Sequence, residues 1–203
     1  MSDWKFIVPE ATINYIENPQ MHDNITDGWT QFNGTESIEP EGAYMGPNCY
    51  EIIADAPGTD AYVRADAFSL ANGDSVTCSV RMYRHTDVSA SMTIRDSTNN
   101  ANRATATPSE TGSWELLEET WTNTTGGAVN IRLTVVNSEQ DGASKIWFDA
   151  AQAEKKAYRT PYCDGNQEGR RCSRWGSSML GVRQKGRYCQ KFYEKGMKAV
   201  SGC

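Results

Sequence analysis

Apolar and polar residues alternate with period two along much of this chain. In Ser75–Arg84, Val76, Cys78, Val80 and Met82 take one face, and Ser75, Thr77, Ser79, Arg81 and Tyr83 the other. Ala90, Met92 and Ile94 alternate with Ser89, Ser91, Thr93 and Arg95, and Val129, Ile131, Leu133 and Val135 with Asn130, Arg132 and Thr134. Ala61, Val63 and Ala65 alternate with Tyr62, Arg64 and Asp66. Side chains of a strand point alternately to its two faces, so each run predicts a strand with one face on a core and one on water. Turn residues separate the runs: Asp27-Gly28, Asn33-Gly34, Pro57-Gly58, Asn72-Gly73-Asp74, Gly126-Gly127 and Asp141-Gly142. The stretch Ile146-Trp147-Phe148-Asp149-Ala150-Ala151-Gln152-Ala153-Glu154 closes the series, with one carboxylate in an otherwise apolar strand. Eight to ten short strands before residue 156, without a βαβ rhythm or a long repeat, predict an all-β fold, a jelly-roll β-sandwich spanning 1–156.

Residues 157–203 change in character and form a second part. Tyr158–Gly165 is turn-rich, Ser173–Gly181 is small and polar around Trp175, and Gln184–Lys198 predicts a short basic helix with Tyr188, Phe192 and Met197 as its apolar positions. The formal net charge of −6 conceals a division. Residues 1–167 carry eleven Lys/Arg against twenty-four Asp/Glu, and residues 168–203 carry nine against two. Such asymmetry implies two parts with different partners. Cys49 and Cys78 lie in the sandwich; Cys163, Cys172, Cys189 and Cys203 lie in the tail. No CxxC pair occurs and there are only two histidines, His22 and His85, which argues against a structural zinc site. Disulfides would suit the tail, which has little core of its own. Cys78 falls on a core face, so a buried free thiol and a bridge to Cys49 both stay open. No run approaches the ~20 apolar residues of a membrane span.

Three motifs in order carry a family resemblance. Trp4-Lys5-Phe6-Ile7-Val8-Pro9-Glu10 with Asn14–Pro19 and Gly28-Trp29 resembles the opening of the carbohydrate-binding-module-like jelly rolls of phage minor tail proteins. Trp147–Glu154 resembles their closing strand. Thr160-Pro161-Tyr162-Cys163-Asp164-Gly165-Asn166-Gln167, with Cys172 and Trp175, resembles the segment that follows. The match covers about residues 1–180. It implies a virion structural protein, a minor tail or surface-decoration component, located on the extracellular particle. The other virion proteins would be its partners, held by Tyr162, Cys163, Asp164, Cys172, Trp175, Cys189 and Cys203, and a homo-oligomer is expected. Met1–Lys5 lacks the charged start of a signal peptide, and release inside a particle would be compatible with that. In related modules an aspartate of the closing strand helps to hold a structural calcium ion. Asp149 matches that position, and Asp23 or Glu17 would have to supply the earlier acid. Calcium wants six to eight oxygens, many of them backbone carbonyls.

The second functional reading is a host-envelope glycan-binding adhesin, with bacterial surface polysaccharide as ligand. Aromatic faces suit sugar C–H groups, and arginine suits acidic glycans through bidentate pairs. The polar strand faces offer Tyr62, Arg64, Arg81, Tyr83, Arg95 and Arg132. They make one groove only if they share a sheet. Trp29 and Trp121 are expected in the core, whereas Trp114 falls on the strand face opposite Leu117 and Trp121. No GxSxG, HExxH or phosphate loop occurs, and Glu118 and Glu119 point to opposite strand faces, so an enzyme is not expected. No nucleic-acid fold motif accompanies the basic tail. The sequons at Asn24, Asn33 and Asn123 are ordinary in a Thr-rich chain.

Overall fold

The computed structural model describes residues 12–20, 27–55, 59–138, 143–162 and 171–172. The elements are β1 (Thr12–Ile13), β2 (Trp29–Phe32), β3 (Gly34–Glu39), β4 (Cys49–Ala54), β5 (Ala61–Ala65), β6 (Phe68–Leu70), β7 (Ser75–Arg84), β8 (Ala90–Asp96), β9 (Ala101–Ala106), β10 (Trp114–Thr122), β11 (Val129–Asn137), β12 (Lys145–Glu154) and β13 (Arg171–Cys172). Twelve of these precede residue 156, more than the eight to ten expected. The surplus comes from short pairings such as β1 and β6, too brief to leave a period in the sequence. The basic helix expected at 184–198 lies outside the described residues.

Eleven of the strands form two antiparallel sheets, and β1 with β13 forms a separate two-stranded one. One runs β10-β7-β12-β4-β3; the other runs β2-β5-β11-β8-β9, with β6 also paired to β11. The alternation read from the sequence sets their inner faces. Val76, Cys78, Val80 and Met82 of β7 face Ala61, Val63, Met92, Ile94, Ile131, Leu133 and Val135 of the other sheet in one continuous core. Trp29, as expected, is buried, tilted against Tyr50 and Phe148 at ring-centroid distances of 6.3 and 5.2 Å. Trp121 is only half-buried at the core's margin, where the Arg103 guanidinium lies 5.2 Å from its ring centroid. Cys49 and Cys78 are both buried and free, which decides that alternative.

Two irregularities shape the five-stranded sheet. The β12–β7 register shifts between Asp149 and Gln152, and Ala150 takes a left-handed φ of 51°. The bulge keeps Ala151 and Ala153 in the core while Asp149 and Gln152 stay on the outer face. Beside it, Asn14 donates from Nδ2 to the Ala151 carbonyl at 3.0 Å and accepts the Ile16 and Ala153 N–H groups on Oδ1. Residues 157–162, the start of the expected anchoring segment, pack back onto the sheet. Thr160 donates to Glu154 from its N–H at 2.8 Å and from its hydroxyl at 2.7 Å, and Arg159 Nε donates to Glu118 at 2.8 Å. Further along, β13 pairs with β1, Cys172 opposite Thr12.

Candidate functional site

One row of side chains crosses all five strands of the first sheet on its outer face. Trp114 of β10 pairs with Tyr83 of β7, Tyr83 with Trp147 of β12, Trp147 with Glu51 of β4, and Glu51 with Ser37 of β3. Strand alternation places them there: Ile146 and Phe148 point into the core, so Trp147 between them points out. The Tyr83 ring stacks on Trp147 at 5.5 Å and is tilted against Trp114 at 5.7 Å. His85 meets Trp147 edge-on at 4.0 Å. All four rings are partly exposed.

The polar end of the row fixes the aromatic end. Trp147 Nε1 donates to Glu51 Oε2 at 2.7 Å, Lys145 Nζ lies 3.0 Å from the same oxygen, and Ser37 Oγ donates to Oε1 at 3.1 Å. Burial disfavours a charge on Glu51, but hydrogen bonds from Trp147 and Lys145, the Lys145 charge and Ser37 outweigh it and hold its carboxyl below the ordinary value of 4.5. Glu51 is thus an ionised anchor for the indole. His85 is held below its usual 6.5, first by burial and then by the Lys145 ammonium, with Glu51 and Glu39 opposing. Its Nε2 has no hydrogen-bond partner among the described residues.

The loop between β3 and β4 lies over this row. Gly42 sits flat on Trp147, and a Cβ there would come within 2.2 Å of the indole carbon Cζ3. Tyr44 reaches Trp114 at 5.7 Å between ring centroids, and the Arg81 guanidinium stacks on Tyr44 at 4.6 Å. The loop is tied down by Asp149, whose Oδ2 accepts the Met45 N–H at 2.7 Å. Tyr44 and Met45 are among the few large apolar side chains left exposed. The result is a tilted series of aromatic rings, Tyr44, Trp114, Tyr83 and Trp147, rimmed by Arg81, Lys145, Glu51 and His85. Such a surface can stack on the C–H faces of sugar rings and hydrogen-bond hydroxyls at its edge.

The six residues expected to line one groove do not. Arg81 and Tyr83 stand on this face. Tyr62, Arg64, Arg95 and Arg132 stand on the outer face of the other sheet, because β5, β8 and β11 belong to it while β7 does not. The core separates the two groups. Of the acids expected at a calcium site, Asp149 is buried and accepts the Met45 and Ala150 N–H groups, Glu17 is exposed, and Asp23 lies outside the described residues. No group of three metal-ligating side chains occurs among the described residues. Of the expected assembly residues, Tyr162 is half-buried at the end of segment 157–162 and Cys172 lies in β13. Cys163, Asp164, Trp175, Cys189 and Cys203 lie outside the described residues.

Trp114, Trp147, Tyr44, Glu51 and His85 were not singled out from sequence as ligand-facing. Trp147 carried a signal nonetheless: it is out of phase with the core residues on either side. Tyr44 carried none, since a loop brings it in.

No protein-family model and no curated protein matches the chain. Solved structures do. A family 16 carbohydrate-binding module superposes with a TM-score of 0.56 at 15% identity, covering 69% of this chain and 99% of that one. A CBM4 module gives 0.51 at 16% identity, over 70% and 99%. A cyclase from Fischerella sp. TAU gives 0.58 at 13% identity, over 74% and 100%. At these identities the likeness is one of architecture, and the chain has the jelly-roll sandwich that such binding modules and this cyclase have in common.

Proposed function

We propose that this chain is a non-catalytic carbohydrate-binding module that takes a polysaccharide along the Trp114–Tyr83–Trp147 row. The row itself carries the reading. Three partly exposed rings stand in register across adjacent strands, the last fixed by a hydrogen bond to a buried carboxylate. A core would bury such rings, and a merely soluble face would not align them. The likeness of the fold to carbohydrate-binding modules supports it. Glu51 in the row and Asp149 beside it are both engaged, Glu51 with Trp147 and Lys145, Asp149 with backbone N–H groups, which suits binding better than acid–base chemistry.

We further propose that the module works on the surface of a virus particle, in attachment to a bacterial envelope. The ordered motifs at Trp4–Pro19, Trp147–Glu154 and Thr160–Gln167 support this, and the basic tail would hold the module to other virion subunits.

The test is equilibrium binding of the full chain to isolated bacterial envelopes and a panel of purified polysaccharides, first with calcium and then with a chelator. Saturable binding lost in Trp147→Ala and Tyr83→Ala, each still folded by circular dichroism, is the expected result. A folded protein that binds no envelope and no polysaccharide overturns the reading. Neutral-polysaccharide binding unaffected by both substitutions overturns the site.

A further inference from the structure

The opposite face of the sandwich carries a second surface of different chemistry. Rows of outward side chains cross the β2-β5-β11-β8-β9 sheet. One row is Thr30, Arg64, Thr134, Thr93 and Thr105; the next brings Arg132 directly opposite Arg95, with Asn102 beyond. Three guanidiniums therefore gather on neighbouring strands. Like charges set directly opposite on a sheet destabilise it, yet no ion pair relieves Arg64, Arg95 or Arg132 among the described residues.

Neutral groups hold these arginines in place instead. Arg95 donates to Asn102 Oδ1 at 2.6 Å and to Asn100 Oδ1, and Arg132 Nε donates to Ser97 Oγ at 2.7 Å. The Arg64 guanidinium lies over the stacked rings of Phe32 and Tyr62, 4.9 and 4.4 Å from their centroids. The forks are positioned while their charge stays uncompensated. Two polar atoms beside them have no hydrogen-bond partner among the described residues: Arg64 Nε, and the hydroxyl of Thr134, a residue 4% exposed that stands between Arg64 and Thr93. Buried polar atoms are almost always satisfied, so two neighbouring exceptions mark a place where a partner is missing. Burial lowers the basicity of Arg64; Tyr62 opposes this, and the neighbouring Arg95 and Arg132 add to it.

We propose that this face, centred on Arg64, Arg95 and Arg132, binds the anionic groups of an acidic polysaccharide, independently of the aromatic row on the other sheet. Arginine forks match carboxylate, sulfate and phosphate in bidentate fashion. Thr30 and Thr105, the exposed ends of the threonine row, offer hydroxyls to the sugar. A nucleic acid fits less well. Arg64 already lies over Phe32 and Tyr62, which occupies ring surface that stacked bases would need.

The experiment titrates the full chain with polygalacturonate, dextran sulfate, neutral dextran and single-stranded DNA at matched ionic strength. It compares the native protein with Arg95→Gln/Arg132→Gln, Arg64→Lys and Trp147→Ala. The expected result is binding of polygalacturonate or dextran sulfate but not of neutral dextran. That binding should weaken at least about tenfold in the double variant and in Arg64→Lys, and stay unchanged in Trp147→Ala. Thermal unfolding checks each variant's fold, and the double variant should melt no lower than the native protein, having lost a repulsion. Acidic-polymer binding that survives the double substitution belongs to the basic tail and overturns the proposal, as does an absence of such binding. DNA bound more tightly than either acidic polysaccharide overturns the ligand class. Neutral-glycan binding at the aromatic row is read separately through Trp147→Ala, so either site can fail alone.

Discussion

The indole of Trp147 donates its N–H to Glu51 Oε2 at 2.7 Å, across the β12–β4 pair. An aromatic platform is useful to a ligand only if its rings already hold their orientation, since ordering them on binding costs affinity. Glu51 supplies that orientation, and Lys145 and Ser37 keep Glu51 ionised and fixed. Glu51→Ala should lower unfolding stability by about 2 kcal/mol, the cost of losing hydrogen bonds to a charged group. It should also weaken glycan binding about tenfold. Glu51→Gln, which still offers the indole an acceptor, should lose less of both. Denaturant unfolding and titration of the two variants check this. Equal affinity in all three proteins would mean that ring packing alone holds Trp147.

Gly42→Ala should be a binding-selective lesion. The added methyl meets the indole of Trp147, so either the indole or the β3–β4 loop must move. Because the loop is also held by the Asp149–Met45 bond, the indole is expected to yield. The expected outcome is a melting temperature within a few degrees of the native value, a changed tryptophan fluorescence and binding weakened at least tenfold. Unchanged fluorescence and affinity would place the loop off the ring in solution.

Ala150 is the one positive-φ residue among those described that is neither Gly nor Asn. A left-handed conformation costs an L-residue about 1–2 kcal/mol, and glycine escapes most of that. Ala150→Gly should therefore unfold at equal or higher denaturant, by up to about 1 kcal/mol, and Ala150→Val should lose more than it would on a regular strand. The reverse order would show that the bulge is not strained.

Acid should weaken the sandwich in two stages. His85 is held below 6.5, so the unfolded chain binds the extra proton first, and stability present above 6.5 is lost as pH falls toward the folded value. The carboxyls of Glu51, Asp96 and Glu115 also lie below their ordinary values. For Asp96, burial is outweighed by hydrogen bonds from Asn99 and Arg103, the latter 2.6 Å away. Their contribution is complete above about 4.5 and disappears as pH falls through the folded values. Urea unfolding across this range should show both stages. His85→Asn should remove the first and Asp96→Asn should flatten the second. A single stage in the native protein would contradict the assignment.

How far the sequence could be read depended on distance along the chain. Alternation over Ser75–Arg84 and Val129–Val135 set each strand's inner and outer faces correctly, because the period is local. It could not say that β7 and β11 belong to different sheets, which is why Arg81 and Arg132 were expected in one groove. Sheet membership follows from pairings such as Tyr83 with Trp147, 64 positions away, and such pairings leave no local pattern. The Tyr44–Arg81 contact comes from a loop and leaves even less. The Trp147 side of the platform could have been read from its phase within β12.

The two buried cysteines have one further consequence. Burial, with the carboxylates of Asp149, Glu39 and Glu51 adding to it, pushes the Cys49 thiol up to about 12, and burial with Glu154 does the same for Cys78. At neutral pH both therefore stay protonated, and only the thiolate attacks. Iodoacetamide should leave both unlabelled in the native protein and label both in urea, as peptide mass mapping would show. Neither Cys49 nor Cys78 thus ties the stability of the sandwich core to the redox state of its surroundings.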